Sequence, residues 1–123
     1  MSRLSTTAEN LAVQAIVVPA TTYYLSLHTD DPGTTGANEV TGGSYARQAV
    51  TFGSAAIGVS YSTNLQSFTG MPAESGGVPY FGIWTASTSG TYLFGGLTTN
   101  VGTSFPAGAT VSFAIGLISV QIS

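Results

Sequence analysis

Residues 24–52 read YLSLHTDDPGTTGANEVTGGSYARQAVTF, and this stretch predicts two strands joined by a long loop. Tyr23, just before this stretch, and Leu25 and Leu27 at its start alternate with the residues between them, which is the period-2 pattern of a half-buried strand. Residues 45–52 alternate in the same way. We therefore expect two neighbouring strands of one sheet.

The loop between these strands is rich in turn-forming residues. Pro32 fixes its own φ, while Gly33, Gly42 and Gly43 can adopt the positive φ that tight turns require. The chain is therefore expected to reverse direction here.

Three of the five acidic residues of the protein lie in this loop, close in sequence to an arginine. They are Asp30, Asp31 and Glu39, and Arg47 is the only cation after residue 3. A lone cation beside three acids predicts a salt bridge or a bidentate hydrogen bond that pins the loop. We therefore predict a structural latch formed by Asp30, Asp31, Glu39 and Arg47.

A calcium site is the alternative for the same loop. Asp30, Asp31, Asn38 and Glu39 carry the oxygen ligands that hard cations prefer. The four residues lack the alternating spacing of a calcium-binding loop, and turn chemistry already accounts for residues 31–33. The latch is therefore preferred, and no cofactor or metal is assigned.

A family resemblance rests on these same segments. The string NEVTGGSYARQAVTF at residues 38–52, preceded by YLSLHTDDPG, resembles small virion proteins of tailed bacteriophages, described as tail-fibre-like, minor tail or capsid decoration proteins. The likeness continues at YFGIW (80–84), LFGGLTT (93–99) and GATVSFAIGLISVQI (108–122). The resemblance implies a structural role in the virion.

Length and composition limit the remaining possibilities. A chain of 123 residues is expected to form one domain, with an arm and helix in residues 1–20 and a β-sandwich in residues 21–123. Hydrophobic residues make up 43% and the net charge is only −3, so the chain is expected to fold. Charged residues make up only 6%, which favours a protein that hides surface in an assembly.

The composition also argues against several classes of function. Two arginines and no lysine cannot form a basic patch that neutralises phosphates, so nucleic-acid binding is not expected. The absence of cysteine removes disulfides, thiolate catalysis and Cys-based zinc sites. No apolar run approaches the roughly 18 residues of a membrane span.

The rest of the chain predicts short strands after one helix. Residues 5–16 have capping residues and helical spacing, and the helix should end before Pro19. Residues 80–84 and 91–97 predict a hairpin, and the alternation of apolar residues slips by one position near Gly116, which predicts a bulge or bend there. The fold is therefore predicted as mainly all-β: an antiparallel, jelly-roll-like β-sandwich with one short N-terminal helix.

The side chains do not suggest an enzyme. No nucleophile with a base, metal cage or phosphate loop can be defined, His28 is expected at the surface or rim, and Trp84 is expected in the core. The preferred function is a capsid decoration (cement) protein at the capsid surface. Its partners would be the major capsid protein and copies of itself in a homotrimer, the capsid and the trimer being implied by the resemblance. A tail or tail-fibre component and a carbohydrate-binding module are the alternatives.

Overall fold

A computed structural model describes residues 4–98 and 103–121, which form one helix and eight strands. The elements are α1 (Thr6–Ile16), β1 (Tyr23–His28), β2 (Gln48–Val50), β3 (Val59–Tyr61), β4 (Gln66–Met71), β5 (Tyr80–Trp84), β6 (Tyr92–Leu97), β7 (Ala109–Phe113) and β8 (Ser119–Gln121). Residues 1–3, 99–102, 122 and 123 lie outside the described part of the chain.

The N-terminal helix begins and ends where its capping residues predict. The Ser5 side chain accepts a hydrogen bond from the Ala8 N–H at 3.1 Å, which satisfies one of the free donors of the first turn. The helix ends at Ile16, because Val18 precedes a proline and is disfavoured in the helical region. Val13 and Val17 are buried in the same core as the strands. The division into an arm and a domain stays a prediction.

The strands pair antiparallel in one sheet of four and two separate pairs. The sheet has the order β2-β1-β5-β6, while β3 pairs with β8 and β4 pairs with β7. The prediction of a mainly β, antiparallel fold with one short N-terminal helix is confirmed. The jelly-roll order of strands stays a prediction.

The second strand predicted in residues 24–52 is shorter than its alternation predicts. Residues 45–47 leave the ladder, and the Leu27 N–H, which would continue it, donates instead to the Tyr45 hydroxyl at 3.0 Å. The Leu27 carbonyl accepts from the Val40 N–H at 2.9 Å. The loop itself therefore takes the place of a longer strand beside the end of β1.

The four-stranded sheet is covered on both faces. Leu25, Leu27, Phe81 and Ile83 point into one hydrophobic core shared with the helix and the strand pairs. Ser26 and His28 point to the opposite face and are also fully buried. The loop of residues 29–38 covers this second face, where an added Cβ at Gly36 would lie 2.5 Å from the Trp84 ring.

The predicted hairpin and bend are both present. β5 and β6 pair antiparallel over residues 80–97. Gly116 has a φ of 86° in a turn in which the Leu117 N–H donates to the Ala114 carbonyl, and this turn separates β7 from β8. Because the two strands belong to different pairs, the slip in alternation marks a bend between strands.

Within residues 4–98 and 103–121, no helix is long and apolar enough to cross a membrane.

Candidate functional site

Glu39 and Arg47 form a bidentate ion pair at the end of the loop. The Arg47 Nε donates to Glu39 Oε2 at 3.0 Å and Nη2 donates to Oε1 at 2.9 Å. The two side chains are 9% and 21% exposed, so the pair is largely shielded from water. The planar guanidinium matches the carboxylate at two points, which fixes the orientation of both groups.

The remaining contacts of Arg47 reach the hairpin between β5 and β6. Its Nη1 donates to the carbonyls of Ala86 and Ser89, at 3.1 and 2.8 Å. Its Cζ lies 3.8 Å from the centroid of the Trp84 ring, within the range of a cation–π contact. One side chain therefore joins the loop after β1 to a hairpin about 40 residues further along the chain.

Tyr45 places the Glu39 carboxylate from the other side. Its hydroxyl donates to Glu39 Oε2 at 2.7 Å and accepts the Leu27 N–H at 3.0 Å. Its ring stacks on Phe68, with centroids 6.0 Å apart and planes inclined by 7°. Tyr45 therefore connects the ion pair to the end of β1 and to the hydrophobic core.

The pKa values of this cluster follow from burial and pairing. Burial alone would raise the pKa of the Glu39 carboxyl, but the hydrogen bonds from Arg47 and Tyr45 outweigh it and hold that pKa below its usual range. Burial, together with the hydrogen bond to Glu39, strongly raises the pKa of the Tyr45 hydroxyl. Glu39 is therefore a carboxylate and Tyr45 a neutral phenol at neutral pH.

The structure does not bring Asp30 and Asp31 to Arg47. The Asp31 carboxylate accepts the Gly33 N–H at 2.8 Å, and Asp30 Oδ1 accepts the Asp31 N–H at 2.8 Å, so both acids organise their own turn. Of the four predicted latch residues, Glu39 and Arg47 are in contact, while Asp30 and Asp31 lie at the other end of the loop. That the contact stabilises the loop stays a prediction.

The proposed calcium ligands are not collected in one place either. In the described ranges, no three His, Asp or Glu side chains form a group that could hold a metal ion. Glu39 already binds Arg47 and Tyr45, and the Asn38 amide donates to the Asp31 carbonyl at 3.0 Å. The Glu39 carboxylate is thus already used in internal hydrogen bonds.

The prediction that His28 lies at the surface or rim is wrong. His28 is fully buried under the loop, with Nδ1 2.7 Å from the Ala37 carbonyl and Nε2 2.7 Å from the Ser26 Oγ. Trp84 Nε1 donates to the same Oγ at 2.8 Å. Trp84 therefore lies half-buried on this second face, outside the hydrophobic core in which the sequence had placed it.

Reasoning from sequence missed this cluster because Trp84 lies 58 residues from Ser26 in the chain. The one signal available was Gly82, which lies between two bulky apolar pairs in β5. An added Cβ at Gly82 would lie 2.5 Å from the Ser26 Oγ and 2.9 Å from His28 Nε2. Because Gly82 has no side chain, there is room for the hydrogen-bonded side chains of Ser26, His28 and Trp84 across the two strands.

A shallow groove runs beside the ion pair. It has a volume of about 450 Å³ and is lined by the ion pair and by small hydroxyl-bearing and glycine residues of the loop and the hairpin. Four of the five N–H donors of Arg47 already bind protein acceptors. The cluster is therefore arranged to hold segments of the chain together.

Fold and site together define a small antiparallel β domain whose polar side chains serve its own architecture. The sequence model of the family described as Gp80, podophage GP4 fiber I protein gp80, matches residues 4–121. The chain belongs to this family, which confirms the resemblance to small virion proteins of tailed phages. No curated protein matches the sequence.

Proposed function

We propose that this chain is a structural, non-enzymatic component of a phage tail fibre that acts through contacts with other virion proteins and with copies of itself. The observation that carries the proposal is the family match over residues 4–121, since the family description names a fiber protein. The internal use of the polar groups of Glu39, Tyr45 and Arg47 supports a structural role.

The surface around the β3–β8 pair supports an assembly role. Four exposed apolar side chains lie just before β3, on β3 and on the turn between β7 and β8, and we call them the apolar ribbon surface: Ile57, Tyr61, Ile115 and Leu117. The Gly116 N–H donates to the Ser62 carbonyl at 3.0 Å, which holds the 114–117 turn against the end of β3. Exposed apolar residues grouped in this way are typical of protein interfaces.

The charge distribution favours the same surface. Residues 48–123 contain one charged side chain, Glu74. A surface with few charged groups can approach a copy of itself with little like-charge repulsion, so a second copy of the chain is a suitable partner. Self-association through the apolar ribbon surface is therefore part of the proposal, and the trimeric state in it rests on the family resemblance alone.

A capsid decoration protein that binds the major capsid protein at the capsid surface is the second candidate. The sequence resemblance at residues 38–52 supports it, and the same weakly charged surface would suit contacts with a capsid lattice. Fiber is nevertheless the word in the family description, so the tail-fibre assignment comes first.

The environment of Trp84 argues against a carbohydrate-binding module built on this ring. A sugar would need an open ring face for stacking. Arg47 occupies a position 3.8 Å from the ring centroid, and the Gly36 backbone packs so closely that a Cβ there would lie 2.5 Å from the ring.

Immunogold electron microscopy of intact virions with an antibody against this chain tests the proposal. Gold particles at the tail fibres are expected. Labelling spread over the capsid would overturn the tail-fibre assignment and support the decoration protein instead.

A further inference from the structure

His28 is buried between two partners that fix its protonation state. A carbonyl oxygen can only accept a hydrogen bond and an indole N–H can only donate one. Nδ1 must therefore carry the proton that bonds to Ala37, at 2.7 Å. In the neutral ring Nε2 then has no proton and can only accept, so the Ser26 hydroxyl donates to it while the Ser26 Oγ accepts from Trp84. With the neutral ring, every hydrogen-bonding group in this series has a partner. We call the series the Ser26–His28–Trp84 relay.

A second proton on the ring would break this arrangement. Protonated Nε2 can no longer accept from the Ser26 hydroxyl, whose hydrogen would lose its partner inside the protein. The site is closed on the β5 side, since an atom added at Gly82 would lie 2.5 Å from the Ser26 Oγ. The imidazolium would also be a charge on a side chain with no exposed surface.

The charged neighbours of His28 do not reverse the preference for the neutral ring. Burial lowers the pKa of His28 most strongly; the Ala37 carbonyl and the Glu39 carboxylate raise it, and Arg47 lowers it further, so that the pKa lies below its ordinary value. The other titratable groups on the surrounding segments are Tyr23 and Tyr24 on β1, Asp30 and Asp31 in the loop, Tyr45 after it, Tyr80 on β5 and Tyr92 on β6.

We propose that protonation of His28 releases the loop of residues 29–38 from the second face of the sheet, so that the relay acts as an acid-sensitive switch. The ring holds the loop through the Ala37 carbonyl, and it must leave its closed site to accept a second proton favourably. Release of the loop exposes the Trp84 side of the sheet. This device is independent of the position of the protein in the virion.

The direction of the pH dependence follows from linkage. States in which His28 is solvated bind a proton near the ordinary pKa of 6.5, and the closed state binds it only at lower pH. The contribution of the relay to stability is therefore complete above about pH 6.5 and is lost as the pH falls towards the pKa of the closed state.

The experiment uses the single histidine and single tryptophan of the untagged chain. Nitrogen-15 NMR of the His28 ring between pH 8 and pH 5 should show the Nδ1–H tautomer at high pH and a midpoint below 6.5. Trp84 fluorescence should shift to longer wavelength along the same titration. The opposite tautomer, or a midpoint at or above 6.5, would overturn the proposal.

The variant His28→Asn provides the matched control. Its amide can replace the Nδ1 donor to Ala37 but cannot titrate, so Trp84 fluorescence should be constant between pH 7 and pH 5. A fluorescence transition that persists in this variant would contradict the proposal. If the variant does not fold, as judged by circular dichroism, the Trp84 fluorescence of the unaltered protein decides the question: a shift that follows the His28 titration supports the proposal, and a fluorescence that stays constant across that titration overturns it.

Discussion

The guanidinium carbon of Arg47 lies 3.8 Å from the centroid of the Trp84 ring, so a residue just before β2 rests on the last residue of β5. The same guanidinium binds Glu39 in the loop and two carbonyls of the β5–β6 hairpin. One side chain thus joins the loop to the β5–β6 hairpin, about 40 residues further along the chain. We expect this contact to decide the stability of the loop.

Replacing Arg47 by alanine should lower the free energy of unfolding by about 3 kcal/mol, because it leaves the largely buried Glu39 carboxylate without its partner. Thermal and urea unfolding measure the effect. Arg47→Lys keeps the charge but loses the bidentate geometry and most of the ring contact. Its stability should therefore lie between that of the unaltered protein and that of Arg47→Ala. An unchanged melting temperature in Arg47→Ala would refute the latch.

The Tyr45 hydroxyl should contribute separately. Tyr45→Phe keeps the stacking on Phe68 but removes the acceptor of the Leu27 N–H and a donor to Glu39. We expect a loss of about 1–2 kcal/mol in urea unfolding. Tyr61→Phe is the control, since Tyr61 is exposed and should change little. Equal effects of the two substitutions would show that the hydroxyl contacts do not matter.

The tight approach at Gly82 predicts a steric effect. A Cβ there would lie 2.5 Å from the Ser26 Oγ, so Gly82→Ala should displace the relay and cost about 1–3 kcal/mol. Neither Gly82 nor Gly76 has a positive φ, and a Cβ at Gly76 meets nothing within 4 Å, so Gly76→Ala is a matched control. Equal melting temperatures of the two variants would contradict the packing described here.

The ion pair should also make the stability of the protein decrease at acidic pH. The folded pKa of Glu39 is depressed, so its contribution to stability is present above the ordinary value of about 4.5 and is lost as the pH falls through the folded pKa. Glu39→Gln should therefore flatten the pH dependence of urea unfolding below about pH 4.5, while the change assigned to His28 at higher pH remains. An identical slope below that pH in both proteins would exclude Glu39 as its source.

The apolar ribbon surface predicts a charge-sensitive assembly. Leu117→Glu should shift the sedimentation of the purified protein towards the monomer, because burying an unpaired carboxylate at an interface is unfavourable. Thr35→Glu introduces the same charge at an exposed position of the 29–38 loop and should leave sedimentation unchanged. Unaltered oligomers in Leu117→Glu would remove this surface from the proposal.

Local sequence signals predicted the features that depend on local chemistry. The N-cap at Ser5 and Pro19 set the helix, and the slip in alternation at Gly116 located the bend before β8. In each case the few residues that determine the conformation are neighbours in the chain, and their backbone preferences are strong.

The missed features depend on contacts between distant segments. Alternation over residues 45–52 predicted a longer strand, but Tyr45 and Arg47 bind Glu39 instead of extending the ladder. Sequence proximity suggested that Asp30 and Asp31 would also meet Arg47, yet both acids bind backbone N–H groups of their own turn. The burial of His28 could not be predicted because the loop that covers it has no apolar pattern.

The copy number of this chain relative to the major capsid protein, measured by quantitative mass spectrometry of purified virions, tests the central claim most directly. A tail-fibre component should be present at a small fraction of the capsid protein. A nearly equal abundance would contradict the tail-fibre assignment and place the chain on the capsid lattice.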